Sequence, residues 1–364
     1  MVYKVIGLMS GSSLDGLDIA FAEFQENAGS WSYEILQADC YSYSPEWIQR
    51  LKNATFLPGL DYQLLHIQYG HYLGQQVNSF IKKNNLQYQV ALIASHGHTT
   101  FHLPQEKMTA QLGDGASIAA ETQLPVVTDL RALDIAFGGQ GAPIVPIGEK
   151  SLLGNYDYFL NMGGIANISC NMEKYIAFDI CPANRVLNML ANSMGKEFDD
   201  EGKIAAGGTV NTKLLEKLNA LDYYKQPFPK SLANDFGTDV VYPVIQNEKL
   251  SVPDAMRTYV EHIVAQTADS IRGIQPAHQT VIQKLLATGG GAFNTFLIER
   301  LRAELNKLNI EITIPDKKLV NFKEAMIMAF IGVLRWRQEY NILSSVTGAS
   351  RDSIGGALWT GQEA

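Results

Sequence analysis

The sequence is poor in cysteine, poor in charge, and has no apolar run long enough to span a bilayer. Its three cysteines, Cys40, Cys170 and Cys181, are too few and too widely spaced for a disulfide framework or a structural zinc site. Only 18% of the 364 residues are charged, and the formal net charge is −8. No basic run stands out, which argues against nucleic acid and anionic membrane as partners. The longest apolar stretch, Ala325 to Leu334, falls well short of the roughly 20 residues that a membrane-spanning helix needs. The opening Met1-Val-Tyr-Lys-Val carries no leader pattern, so a cytoplasmic location is expected.

A hydrophobic content of 46% with 31 glycines is what remains, at a length that suggests two domains. Strand and helix signals alternate. Val2–Met9, Leu17–Phe24 and Tyr33–Tyr43 read as three successive strands. A helix is expected over Tyr62–Lys82, a strand over Gln89–Ala94, a helix over Gln111–Thr122 and a strand over Leu124–Asp129. A glycine-rich crossing, Phe137 to Pro143, follows, and the pattern restarts. Tyr158–Met162 and Ile165–Asn171 flank a Gly163-Gly164 turn, and Lys174–Phe178 ends at Asp179. Helical spacing returns over Val252–Gly273, Asn294–Leu308 and Phe322–Tyr340, with a strand over Val281–Thr288. The expected division is 1–132 and 133–364, the last segment being a candidate to return to the first domain. Both α/β domains open with a glycine-turn hairpin, which points to a ligand cleft between them.

Three turns leave apolar strands through small residues. The first holds Ser10, Gly11, Ser12, Ser13, Asp15 and Gly16. The second holds Asn161, Gly163, Gly164 and Asn167. The third holds Gly289, Gly290, Gly291 and Asn294, running toward a helix. A backbone without side chains can approach a phosphate closely. Asp15 and Asp18 lie where a hydrated Mg²⁺ on a nucleotide would sit. Each turn could equally be an ordinary tight connection. None is a Walker loop, since Gly-Lys-Ser/Thr is missing and the first turn leads into a strand.

Asp179 at a strand end is a candidate general base, or else a turn-capping aspartate. His96, His98 and His102 crowd one loop; a polar-ligand role suits them better than zinc, because no acidic or cysteine partner is near in sequence. Arg131 is flanked by Asp129 and Asp134, and either pairs with them or offers its guanidinium to an anionic substrate group.

The ordered series of motifs resembles the anhydro-N-acetylmuramic acid kinases. It comprises Met9-Ser-Gly-Ser-Ser-Leu-Asp-Gly-Leu-Asp18, Ser95-His-Gly-His-Thr99, His102-Leu-Pro104, Gly113-Asp114 and Pro125-Val-Val-Thr-Asp-Leu-Arg131. It continues with Gly138-Gly-Gln-Gly-Ala-Pro143, Asn161-Met-Gly-Gly-Ile-Ala-Asn167, Gly289-Gly-Gly-Ala292 with Asn294, and Val346-Thr-Gly-Ala349. The resemblance runs from about Ile6 to about Ala349. It implies an α/β, two-lobed actin-like ATPase (ribonuclease H-like) fold with ATP held in the cleft. It implies ATP and Mg²⁺ as cofactors and 1,6-anhydro-N-acetylmuramic acid as the small amino-sugar substrate, in cell-wall recycling. Water opens the anhydro ring while O6 receives the γ-phosphoryl group. Carried over, the first two turns are phosphate loops, with Asp15 near Mg²⁺ through water, and Gly289–Gly291 with Asn294 is nucleotide-binding. His96, His98, Asp114 and Arg131 are substrate-side, and Asp179 is the catalytic base. A homodimer is also carried as an expectation, apart from the resemblance.

The chain departs from the family pattern at two places. The family's Asp-Thr-Gly-Pro-Gly-Asn is Asp179-Ile-Cys-Pro-Ala-Asn184 here, and the glutamine after Ser-His-Gly is His98. The alternatives are therefore a kinase for another amino sugar, or a non-enzymatic nucleotide-binding regulatory protein of the same fold.

Overall fold

The computed structural model describes the chain except residues 12–13, 173–174, 229, 234, 276–280 and 362–364. The chain divides into two compact units, Met1–Gly154 with Phe322–Ala364, and Asn155–Asn321.

In the first unit, β1 (Val2–Ser10), β2 (Leu17–Asn27) and β3 (Ser30–Tyr41) form an antiparallel meander. β4 (Leu92–Leu103) runs parallel to β1, with β5 (Met108–Leu112) antiparallel to it on one side. β6 (Val126–Thr128) is parallel to β4. In the second unit, β7 (Tyr158–Met162), β8 (Ile165–Cys170) and β9 (Ile176–Pro182) repeat the meander. β10 (Gln283–Thr288) lies parallel to β7, and β11 (Ile310–Thr313) parallel to β10. The chain ends with β12 (Ala357–Trp359), antiparallel to β6 in the first unit's sheet.

The sheet orders are β12-β6-β4-β1-β2-β3 and β11-β10-β7-β8-β9. Both contain the same path: third, second, first, fourth, then a further parallel strand, with only the second antiparallel to the rest. This is the expected ribonuclease H-like topology, present once in each unit.

Each sheet is covered by a long helix whose apolar residues recur every three or four positions. Helix Gly59–Lys83 buries Leu65, Tyr69, Leu73, Val77 and Phe80 in one cluster with Ile6, Leu8, Leu17, Ile19 and Phe21. Helix Val252–Ile274 does the same with Met256, Val260, Ile263 and Ile271, clustered with Tyr158, Leu160, Met162 and Ile168. Ser251 caps that helix by accepting from the Asp254 N–H at 3.2 Å, ahead of Pro253 in its first turn.

Local expectations fail at three places. The strand expected over Gln89–Ala94 starts at Leu92 and runs on through the histidines to Leu103. The stretch before Gly115 is strand β5, and only Gly115–Thr122 is helical, since Gly113 at φ +117° and the Asp114 cap start the helix afresh. Strand β9 does not end at Asp179 but continues to Pro182. The domain division expected at 132/133 differs from the observed 154/155. Within the first unit the Asp134 carboxylate ties the returning segment to the glycine-rich crossing, accepting from the Gly141 N–H (2.8 Å) and the Thr347 hydroxyl (2.7 Å).

Candidate active site

In both units the strand order reverses beside the first strand, between β1 and β4 and between β7 and β10. Open α/β sheets bind ligands beyond the carboxyl ends of strands at such a point.

In the first unit this point brings Ser10 of β1 opposite His98 of β4. Leu8 pairs with Ser95 but Ser10 with His98, so β4 carries one extra residue, a bulge. Gly97 occupies it at φ +70°, and a Cβ there would lie 2.4 Å from the Leu112 carbonyl oxygen. Only glycine fits. The bulge sets two buried imidazoles side by side in the strand, His96 and His98, 4% and 6% exposed.

His96 Nδ1 lies 2.9 Å from the Gly97 carbonyl oxygen, and Arg131 Nε donates to its Nε2 at 2.8 Å. Arg131 also donates through Nη1 to the Gly141 carbonyl at 2.6 Å. Burial and then the Arg131 charge hold His96 down at about 3, and burial holds His98 at about 4. Both are neutral imidazoles at physiological pH. Burial lowers Arg131 to about 10, partly offset by Glu324 and Asp134, so it stays charged.

Asp114 caps helix Gly115–Thr122, its Oδ2 accepting from the Ser117 N–H (2.7 Å) and hydroxyl (2.6 Å), with His66 Nε2 3.9 Å from Oδ1. In the first turn, Ser12 and Ser13 lie outside the described residues. The Leu14 N–H donates to the Gly11 carbonyl at 3.4 Å. Gly16 is packed under β3, where a Cβ would lie 2.6 Å from Cys40 Sγ. Burial pushes the Asp18 carboxyl up to about 6; a hydrogen bond with Cys40 opposes this, and the Asp15 and Glu324 carboxylates add to it.

Among the described residues, no group of three or more histidine, cysteine, aspartate or glutamate side chains could hold a metal ion. Mg²⁺ keeps most of its water and takes one or two carboxylates together with substrate phosphates. Asp15 and Glu324 each act on the Asp18 carboxyl with like charge, which a nearby divalent cation would relieve, so Asp15 and Asp18 fit the ion.

In the second unit, Gly163 and Gly164 form the two-residue β7–β8 hairpin, with Asn161 opposite Asn167. The two carbonyls turn inward: Gly164 accepts from the Ala183 N–H (2.8 Å) and Gly163 from the Asn184 N–H (3.1 Å). Gly289, at φ +79°, is pressed against the end of β7, where a Cβ would lie 2.6 Å from Asn161 Oδ1 and 2.8 Å from the Met162 carbonyl. A Cβ on Gly291 would lie 2.6 Å from Met162 Cβ. The second and third glycine turns are thus in contact. Gly290 begins a short 3₁₀ turn, and Asn294 then caps helix Thr295–Leu305 through the Leu297 N–H at 2.9 Å. Gly289→Ala would force this junction open; a thermal melt is expected to show the protein destabilised by about 1–3 kcal/mol or more, by the strain of a side chain at positive φ and the clash with Asn161 and Met162.

Asp179 stands beside Asn167 in the β8–β9 pair, at a bulge where Ala166 has already shifted onto Cys181. Its Oδ2 accepts from the Leu232 N–H (2.9 Å) and the Ser231 hydroxyl (3.2 Å). Its own backbone is pinned as well: the N–H donates to the Lys230 carbonyl (3.0 Å), and its carbonyl accepts from the Tyr223 hydroxyl (2.7 Å). Burial raises the carboxyl, while the two hydrogen bonds oppose that. Among the described residues Oδ1 receives no hydrogen bond, so it is the oxygen available to take a proton.

The substituted residues that follow Asp179 lie in the core, whereas the other departure, His98, stands opposite Ser10. Ile180, Cys181 and Ala183 are at most 1% exposed and belong to the apolar core of the unit. Burial pushes the Cys181 thiol far up, which makes it a packing residue rather than a nucleophile.

Sequence reading missed Glu324, Tyr43, Tyr69 and Ser231. Glu324 sits in helix Lys317–Trp336 and faces Arg131 and Asp18 electrostatically. Its signal was one acid among the apolar residues of that helix. The others carried no signal, because ordinary serines and tyrosines are marked only by what they touch.

The family model described as anhydro-N-acetylmuramic acid kinase matches residues 3–361. The anhydro-N-acetylmuramic acid kinase of Aliivibrio fischeri is 32% identical, the match covering 98% of this chain and 99% of that protein. That of Photobacterium profundum is 31% identical, over 98% and 99%. Among solved structures, the (R)-2-hydroxyglutaryl-CoA dehydratase component A of Acidaminococcus fermentans aligns with a TM-score of 0.48 at 13% identity, over 91% of this chain and 97% of that one.

Proposed function

The chain belongs to the anhydro-N-acetylmuramic acid kinase family, and on that footing we propose that it converts 1,6-anhydro-N-acetylmuramic acid, ATP and water to N-acetylmuramic acid 6-phosphate and ADP. Asp179 Oδ1 takes a proton from water as the water oxygen bonds to the anomeric carbon. The bond from that carbon to O6 breaks. O6 takes the γ-phosphoryl group, and ADP leaves. The observation that carries this reading is the Asp179 carboxylate, with one oxygen fixed by two donors and the other, among the described residues, without one.

His96, His98, Asp114 and Arg131 serve the sugar. Ser10, Gly11, Ser12, Ser13, Gly16, Asn161, Gly163, Gly164 and Asn167 serve the phosphates, and Gly289–Gly291 with Asn294 serves the nucleotide. Asp15 and Asp18 would hold Mg²⁺ through water, and the ion supplies charge neutralisation at the phosphates. Phosphoryl transfer asks for positioning more than covalent chemistry, which pinned strand ends can give. The enzyme would act in the cytoplasm, within cell-wall recycling. Among the described residues, no helix is long and apolar enough to cross a membrane. Ile180, Cys181 and Ala183 are packing residues of the second unit's core, which gives them a structural reason to differ from the family pattern.

Mass spectrometry of the product tests the reading: the sugar must gain one phosphate and one water. Phosphate without water would point to a simple sugar kinase, and no sugar-dependent ADP to a non-enzymatic role. Ser231→Ala gives a finer check. The lost hydrogen bond stabilised the ionised carboxylate, so the base's pKa rises and the acid limb of kcat/KM moves to higher pH. A pH–rate profile that stays in place would remove Ser231 from the site.

A further inference from the structure

Beside the machinery above, the first unit contains a buried line of hydroxyl groups that ends on His98. The Tyr43 hydroxyl donates to Ser10 Oγ at 2.8 Å and lies 2.6 Å from the Tyr69 hydroxyl. Ser10 Oγ lies 3.1 Å from His98 Nδ1. Tyr43, Tyr69 and Ser10 are 5%, 0% and 3% exposed, so solvent does not compete for these protons.

Proton counting gives the line a direction. A hydroxyl has one proton and two lone pairs. The Tyr43 proton goes to Ser10, so Tyr69 donates to Tyr43. Ser10 has then accepted a proton and needs an acceptor for its own. The Tyr69 hydroxyl also acts on Ser10, but its 2.6 Å hydrogen bond is to Tyr43, and His98 Nδ1 at 3.1 Å is the acceptor in direct hydrogen-bond contact with Ser10 Oγ among the described residues. An accepting Nδ1 carries no proton, and burial keeps the ring neutral, so the His98 proton sits on Nε2.

His96 is fixed the opposite way. A carbonyl oxygen cannot donate, so Nδ1 carries the proton that faces Gly97 O, and Nε2 accepts from Arg131, which can only donate.

We propose that His96 and His98 are locked in opposite neutral tautomers, and that Tyr69, Tyr43 and Ser10 are positioning residues that make His98 present a fixed Nε2–H donor to an acceptor oxygen of the sugar. The sugar as ligand rests on the function proposed above; the tautomers do not. A fixed donor selects an oxygen and disfavours any group that offers only protons, because a buried donor left without an acceptor is costly. It also removes His98 from acid–base chemistry and leaves that task to Asp179.

The test is a long-range ¹H–¹⁵N spectrum of the full-length protein, labelled with ¹⁵N-histidine, at neutral pH and without ligand. His96→Gln and His98→Gln assign the two rings. His98 is expected as a single Nε2-protonated species and His96 as a single Nδ1-protonated one. An Nδ1-protonated or doubly protonated His98 would overturn the proposal. In Ser10→Ala the His98 resonances should report a mixture of tautomers, and an unchanged single species would show that the hydroxyl line does not set it. Kinetics of Tyr43→Phe test the consequence. KM for the sugar should rise about tenfold with kcat and the ATP KM within about twofold, the pattern of a lost binding contact. An unchanged sugar KM overturns the positioning role. Because the spectrum needs no substrate, its failure is separable from failure of the kinase reading, which the product mass decides.

Discussion

Asp179→Asn is expected to lower kcat by about 10²–10⁴-fold while leaving ATP affinity within about twofold, since general-base catalysis contributes that much to rate and nothing to ground-state nucleotide binding. The amide oxygen can still accept from Leu232 N–H and Ser231, so the strand end keeps its anchors. What is lost is the second carboxylate oxygen, the one proposed to take the proton from water. An isosteric change at a half-buried carboxyl should also leave the fold intact, which a thermal melt of the variant checks. Single-turnover phosphoryl transfer and a nucleotide titration together read the result. Near-native turnover in this variant would mean that another group activates water, and the mechanism above would fall.

Lys323→Met should destabilise the protein by about 3–5 kcal/mol, the range for removing one member of a buried ion pair. The Lys323 ammonium lies 2.8 Å from a Glu149 carboxylate oxygen, and the two side chains are only 4% and 3% exposed. Removing the ammonium takes one opposite charge away from the buried Glu149 and Glu324 carboxylates, and in a low-dielectric interior that loss is costly. The double variant Lys323→Met with Glu149→Leu removes both charges and should recover most of the difference. Denaturant melts of the single and double variants measure both. A single variant as stable as the parent would mean that the charge at Glu149 is otherwise compensated. The pair lies at the start of the stretch with which the chain re-enters the first unit, Phe322 onward, so these melts also report how firmly that stretch is held.

Much of the fold was legible because apolar spacing is a local property. The three-strand openings, the helices near 59–83 and 252–274, and the glycine turns each announce themselves within a dozen residues. Boundaries failed where one residue's backbone overruled the pattern. Gly113 at positive φ cut the expected helix short, and Gly97 let β4 run on through a bulge. At the candidate site, residue types pointed to His96, His98, Arg131 and Asp179, but not to their partners. Arg131 was ambiguous between pairing with a neighbouring aspartate and serving a ligand. In the fold it donates to His96 and to the Gly141 carbonyl, from ten residues beyond it.

The sequence alone determined the class of the fold, the family, and the residue types on offer, because periodicity and ordered motifs are written along the chain. The tertiary structure alone decided which atoms those residues present. It buried Ile180, Cys181 and Ala183, fixed one oxygen of Asp179 through residues some fifty positions later, and tied His98 to Tyr43 and Tyr69. The physical reason is that proton positions and burial depend on contacts between distant segments, which no local pattern encodes.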